Sequence, residues 1–191
     1  LMSIVVSCAG WVEKLDSSTW NLVGFDRTYR EIPPWLPVTA IRTLAANALG
    51  HVGLRDTEVL DALLRHGTTT AVAFCSVHPG SADAYFAAAA SRNLRMVGGK
   101  VMMDRNAPAG VLDTPQSGYD DSKSLIAEWH GRGRQLYAIT PRFAITSSPE
   151  QLEMAGMLAR EHPDCHIQTH LSENHAEIRW TEELYPQAED Y

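Results

Sequence analysis

Helix-forming and strand-forming stretches alternate from Asp56 to the end of this chain, and no other feature limits its fold so strongly. Asp56 caps a helix in which Val59, Leu60, Leu63 and Leu64 recur at helical spacing, and which stops at Gly67. Thr68 to Phe74 follows as a buried strand rich in β-forming residues. An Ala-rich helix starts at Ser81 and stops near Asn93, and the next strand runs from Arg95 to Met103. A helix over 122–130 turns Leu125, Ile126 and Trp129 inward, with Gly131 and Gly133 as stops. Leu136 to Thr140 is the third strand. Ser148-Pro149-Glu150-Gln151 has capping-box spacing with Pro at the first helical position, and its helix runs to about Arg160. His166 to His170 is the fourth strand, and a last helix carries Ile178, Trp180 and Leu184.

Repeated strand–helix order makes parallel βαβ units, so the class is α/β. A doubly wound sheet and a (β/α)8 barrel both satisfy the pattern. Neither a G-x-G-x-x-G nor a Walker sequence occurs, which weighs against a nucleotide-binding sheet. His78, Asp104, Arg105, Arg142, His170 and Glu173 all fall just past strand ends. That placement suits the mouth of a barrel. Four strands cannot close a barrel that typically takes about 250 residues. The 191-residue chain therefore reads as a partial (β/α)8 TIM barrel of about four βα units, part of a larger protein. Residues 1–55 resist assignment. They show poor periodicity, three tryptophans and the breaker cluster Pro33-Pro34-Trp35-Leu36-Pro37. A helix over Thr39 to Leu49 is the one element expected there.

Composition removes several classes of function. The net charge is −7 and no basic patch stands out, so a nucleic-acid surface is not expected. Cys8, Cys75 and Cys165 are widely spaced with no CxxC, which points to a reducing, cytoplasmic setting and against a zinc ribbon. The N-terminus lacks a basic region ahead of its apolar residues, and no stretch approaches the roughly 18 apolar residues of a membrane span.

The chemistry concentrates at His170-Leu171-Ser172-Glu173. A neutral imidazole at a strand end can hold a metal, and a nearby carboxylate can move protons for its water. Positions three apart point to opposite faces of a straight strand, so both groups face one pocket only if the chain turns sharply after His170. The same spacing also suits a strand-end histidine followed by a solvated helix-start glutamate. Elsewhere, His66 sits at a helix C-terminus, where an imidazole suits the dipole. His78 reads as a turn residue or a mouth residue. Asp104 and Arg105 either pair with each other or shape a rim. His166 and His175 share no common face with His170, and Met102 and Met103 read as core and rim.

Several stretches together resemble one family. Arg65-His66-Gly67-Thr68-Thr69-Thr70, Val77-His78-Pro79, Gly99-Lys100-Val101-Met102-Met103-Asp104-Arg105-Asn106, Thr140-Pro141-Arg142-Phe143 and Gln168-Thr169-His170-Leu171-Ser172-Glu173-Asn174 resemble the guanine deaminases of the amidohydrolase superfamily. The resemblance runs from about residue 58 to the C-terminus. It implies zinc-dependent hydrolysis of guanine to xanthine and ammonia in a barrel, in a homodimer without nucleic-acid or membrane partners. By the resemblance, His170 matches a metal ligand, Glu173 the proton shuttle, and Arg142 with Phe143 the purine-binding pair. The family's H-x-H pair is absent before Thr68, and its later ligands would lie beyond Tyr191. One zinc ligand remains where a catalytic site takes about three. Residues 1–55 do not match and read as a non-native segment of the kind a frameshift gives, while 56–191 form the partial barrel domain. The alternatives are an amidohydrolase acting on a pterin or triazine, and a non-catalytic fragment.

Overall fold

The structure is a computed structural model that describes residues 5–7, 11–15, 20–23 and 56–188. In chain order the strands are β1 (Val5–Ser7), β2 (Trp11–Leu15), β3 (Trp20–Val23), β4 (Thr70–Phe74), β5 (Arg95–Gly99), β6 (Val101–Met102), β7 (Leu136–Pro141) and β8 (His166–Ile167). The helices are α1 (Asp56–Arg65), α2 (Pro79–Ser91), α3 (Pro115–Trp129), α4 (Pro149–Glu161) and α5 (His175–Leu184). From α1 onward the strands and helices alternate as the sequence reading expects.

The main sheet is parallel throughout, with β1 beside β4, β4 beside β5, and β7 between β5–β6 and β8. β5 and β6 are one strand interrupted once. Val97 faces Leu136 and Val101 faces Thr140, the same offset on both sides of the break. At the break the Lys100 N–H leaves the ladder and donates to the Tyr137 hydroxyl at 3.2 Å. β1 pairs in register with β4, Val5 opposite Val72, and β2 and β3 form a separate antiparallel pair. The sequence reading assigned no strand in that region. The helix expected over Thr39 to Leu49 lies outside the described residues.

Helices α2, α3 and α4 cover one face of the sheet. Phe86, Trp129, Tyr137, Ile139 and Leu158 pack there, fully or almost fully buried. The Phe86 and Trp129 rings stack at 5.8 Å. Burying each such side chain stabilises the fold by about 1.5–3 kcal/mol. The sheet also curls. β8 lies three strand spacings from β4, about 14 Å across a flat sheet. Yet Gln168 Nε2 donates to Ala73 O at 3.0 Å and to Thr140 Oγ1 at 2.9 Å, and the Phe74 and His170 rings lie 4.3 Å apart. Contacts this short across three spacings require barrel-like curvature.

Several boundaries differ from the sequence reading, three of them with a clear local cause. α2 starts at Pro79 rather than Ser81, because Pro79 occupies its first turn. α3 starts seven residues before Ser122, because Thr114 and Ser117 form a reciprocal capping box around Pro115. The strand expected over His166 to His170 is regular only to Ile167. Pro141 has no N–H with which to extend β7's ladder. Gln168 and His170 still donate their N–H groups to Ile139 O and Arg142 O.

Candidate active site at the strand ends

Arg142 follows β7 immediately, and its backbone ties neighbouring strand ends together. Its N–H donates to Met102 O at 3.1 Å. Its carbonyl accepts the His170 N–H at 2.9 Å and lies 2.9 Å from His170 Nδ1. The side chain is only 5% exposed, and its guanidinium lies 4.6 Å from the centre of the Phe143 ring. Nε has no hydrogen-bond partner among the described residues. Burial lowers the Arg142 pKa to about 10, opposed by the charges of Glu173 and Glu177. The group is still cationic near neutral pH.

A carbonyl can only accept, so Nδ1 of His170 carries the hydrogen and Nε2 holds the ring's lone pair. That tautomer is the one a metal ligand needs, with its second nitrogen oriented by a carbonyl. Burial lowers the His170 pKa, and the hydrogen bond to Arg142 O works in the opposite direction. The imidazole is thus kept neutral, as ligation requires. The Phe74 ring lies against it, and the Phe143 ring approaches its edge at 6.1 Å.

The turn that the H-x-x-E spacing requires is present. Ser172 takes a left-handed conformation, φ 51°, between His170 and Asn174. Asn174 then caps α5, its Oδ1 accepting from the N–H groups of Ala176 and Glu177 at 2.9 Å each. Glu173 is exposed on this turn, and its N–H donates to Glu177 Oε2 at 2.9 Å. The charges of Glu173 and Glu177 both act on Arg142 and on His170. All four residues singled out as site residues therefore gather at one end of the sheet. Glu177, only 5% exposed, is a fifth member that the sequence reading missed. The spacing Asn174-x-x-Glu177 carried its signal, a carboxylate three residues past a helix cap.

Asp104 and Arg105 do not pair with each other. The Asp104 carboxylate accepts from the Ser148 N–H at 2.7 Å and its hydroxyl at 2.5 Å. This occupies the N–H that a full capping box would use, so Ser148 makes only the forward half, to Gln151 N. Arg105 donates to Ala144 O, Ile145 O and the Tyr185 hydroxyl. His78 sits at the N-cap of α2 with no side-chain capping bond. His66 is exposed just past α1.

Among the described residues a second cluster, His130, Asp164 and Cys165, has ligand atoms within 4.8 Å of one another. It belongs to the opposite end of β7. The Tyr137 N–H donates to His130 Nδ1 at 3.0 Å, so Nε2 carries the hydrogen and points to Asp164 Oδ2 at 3.2 Å. Both ring nitrogens are committed, and burial pushes the Cys165 thiol up to about 11. A metal there would displace a backbone hydrogen bond and ionise a reluctant thiol. The cluster is better suited to closing the α3–β7 turn.

No helix of the described residues is long and apolar enough to cross a membrane. The family model for the amidohydrolase family matches residues 57–190. Guanine deaminase of Escherichia coli (strain K12) is 60% identical over 129 residues, 68% of this chain and 29% of that protein. Probable guanine deaminase of Deinococcus radiodurans is 44% identical over 134 residues, 70% of this chain and 30% of that protein. A solved structure of E. coli guanine deaminase superposes with a TM-score of 0.76 at 42% identity, covering 99% of this chain and 40% of that one. The chain thus spans less than a third of the length of these two curated relatives. With a parallel curled sheet, a metal-competent histidine at its strand ends and this match over residues 57–190, the chain belongs to the amidohydrolase family.

Proposed function

We propose that this chain carries part of the active site of a guanine deaminase, an enzyme that hydrolyses guanine to xanthine and ammonia in purine catabolism. The observation that carries the reading is the buried Arg142. Its guanidinium sits over Phe143 beside His170, with Nε–H unpaired among the described residues. A buried unpaired donor costs free energy unless a ligand completes it. An arginine fork matches the O6/N7 acceptor edge of guanine, and an aromatic face can stack on a purine. The 60% identity to a guanine deaminase supports the same substrate.

His170 fits one position of a zinc site by tautomer and charge state. Among the described residues it belongs to no group of three or more candidate ligands, and catalytic zinc takes about three protein ligands. A bound zinc supplies the Lewis acidity that brings a water's pKa to about 7. Glu173 would take the proton of the attacking water and return it to the ring and the departing amine. Arg142 and Phe143 would orient the purine. Burial of Arg142 keeps competing water from its guanidinium. The reading extends to a cytoplasmic homodimer acting on a small-molecule purine. Residues 1–55 lie outside the family model's match, ahead of the partial barrel domain at 56–191, to whose sheet Val5–Ser7 adds a strand.

The test is Arg142→Ala in a protein carrying this segment with a complete ligand set. kcat/KM for guanine should fall about tenfold to a hundredfold with metal content intact. Adenine presents a donor where guanine presents O6, so the preference for guanine over adenine should shrink as well. An unchanged guanine value would assign Arg142 to the rim and favour a pterin or triazine substrate.

A further inference from the structure

The stretch Asp104-Arg105-Asn106 lies outside the chemistry proposed above, yet it makes a dense set of hydrogen bonds to another loop. Its partner is the loop that begins with Arg142 and Phe143. Every carbonyl of that loop from 142 to 147 accepts a hydrogen bond. Arg142 O accepts from His170, and Phe143 O accepts from the N–H groups of Thr146 and Ser147 at 3.1 Å each. Ala144 O accepts from Arg105 Nη2 at 2.7 Å. Ile145 O accepts from Arg105 Nε at 3.1 Å and Asn106 Nδ2 at 2.7 Å. Thr146 O accepts from the N–H groups of Asp104 and Arg105 at 3.0 and 3.3 Å. Ser147 O accepts from the Tyr185 hydroxyl at 2.7 Å.

Tyr185 joins the two halves of this clamp. Its hydroxyl accepts from Arg105 Nη2 at 2.7 Å while donating to Ser147, and the Arg105 guanidinium lies 5.2 Å from its ring centre. Tyr185 is also the C-cap of α5. The other end of the same helix holds the Glu173 turn through Asn174 and Glu177. One ten-residue helix, about 15 Å long, is thereby pinned to the purine loop at one end and to the carboxylate turn at the other.

Loop carbonyls ordinarily take water as their partner. Saturating six in a row with protein donors goes further than solvation needs, and it removes the freedom of the one loop whose position sets the Arg142 fork. We infer that Arg105 and Tyr185 are positioning residues that fix the Arg142–Phe143 loop for selective recognition of a purine's O6/N7 edge. The inference rests on the reading of Arg142 and Phe143 as the purine pair.

Hypoxanthine is the probe, because it keeps O6 and N7 and lacks the 2-amino group that would be hydrolysed. It is titrated into the 191-residue chain while the 15N resonance of Arg142 Nε, assigned by its loss in Arg142→Lys, is followed. Adenine is the contrast ligand. Tyr185→Phe removes one hydroxyl and no ring contact. It should weaken hypoxanthine binding about fivefold, lower the hypoxanthine-to-adenine preference, and leave the rest of the amide spectrum in place. Arg105→Lys should do the same more strongly, and if it fails to fold, Tyr185→Phe carries the test alone. If the wild-type resonance does not respond to hypoxanthine, the purine reading of Arg142 falls and this inference with it. If wild type responds and Tyr185→Phe binds equally well, the clamp inference alone falls. Equal weakening toward hypoxanthine and adenine would mark the clamp as merely stabilising and would also overturn it.

Discussion

Lys100→Met tests the most deeply buried charge among the described residues. The Lys100 side chain is wholly buried, and its Nζ donates to Asp113 Oδ2 at 2.5 Å and Val101 O at 3.3 Å. The other Asp113 oxygen accepts from Met103 N and Gln151 Nε2 at 3.0 Å each. Methionine has similar volume and flexibility, so the change removes charge without leaving a large cavity. It strands a buried carboxylate, which typically costs about 3–5 kcal/mol. Burial already raises the Asp113 pKa, against the pull of Lys100. Without Lys100 the carboxyl can take up a proton, which caps the loss near the lower figure, about 3 kcal/mol. For a chain of this size that is a fall in Tm of about 6–12 °C. The sign with pH follows from the raised pKa. The folded variant holds its proton more tightly than the unfolded chain, so the defect grows as pH rises through the folded value and shrinks in acid. Thermal melts of wild type and variant at pH 7.5 and 5 read both effects. Lys100→Met with Asp113→Asn should recover part of the loss, because the amide oxygen can still accept from Met103. A variant melting within about 2 °C of wild type at pH 7.5, well inside the effect expected, would refute the reasoning.

Other expectations concern the site and its frame. Glu173→Gln, in a protein with a complete ligand set, should retain metal and guanine affinity but lose at least about 10²-fold in kcat; near-normal turnover would remove Glu173 from the mechanism. The purified 191-residue chain should release little or no ammonia from guanine, because His170 alone cannot hold catalytic zinc; chelator-sensitive release would contradict this. Gly99→Ala should abolish soluble folded protein, since a Cβ there would lie 1.9 Å from Ala138 O, while Gly110→Ala, with nothing within 4 Å, should melt close to wild type.

Local order was legible in the residues themselves. Apolar spacing, Gly stops and the Pro149 start are short-range signals, and they located four strand–helix repeats, the start of α3 being the widest miss at seven residues. His170 and Glu173 stood out by type and by their place at a strand end, while Arg142 and Phe143 drew their expected role from the family resemblance. Val5 and Val6 are β-forming residues, but the pairing of Val5–Ser7 with Val72–Phe74, more than sixty residues away, is not legible locally. The turn at Ser172, the tautomer of His170 and the unpaired Nε of Arg142 are likewise products of the assembled sheet. Arg105 and Tyr185, eighty residues apart, meet only through folding. Residue types set what chemistry this chain can offer, since charge, proton affinity and donor count are covalent properties. The tertiary structure decides which of these groups meet and which are dry, since burial and hydrogen-bond partners depend on segments that sequence distance does not bring together.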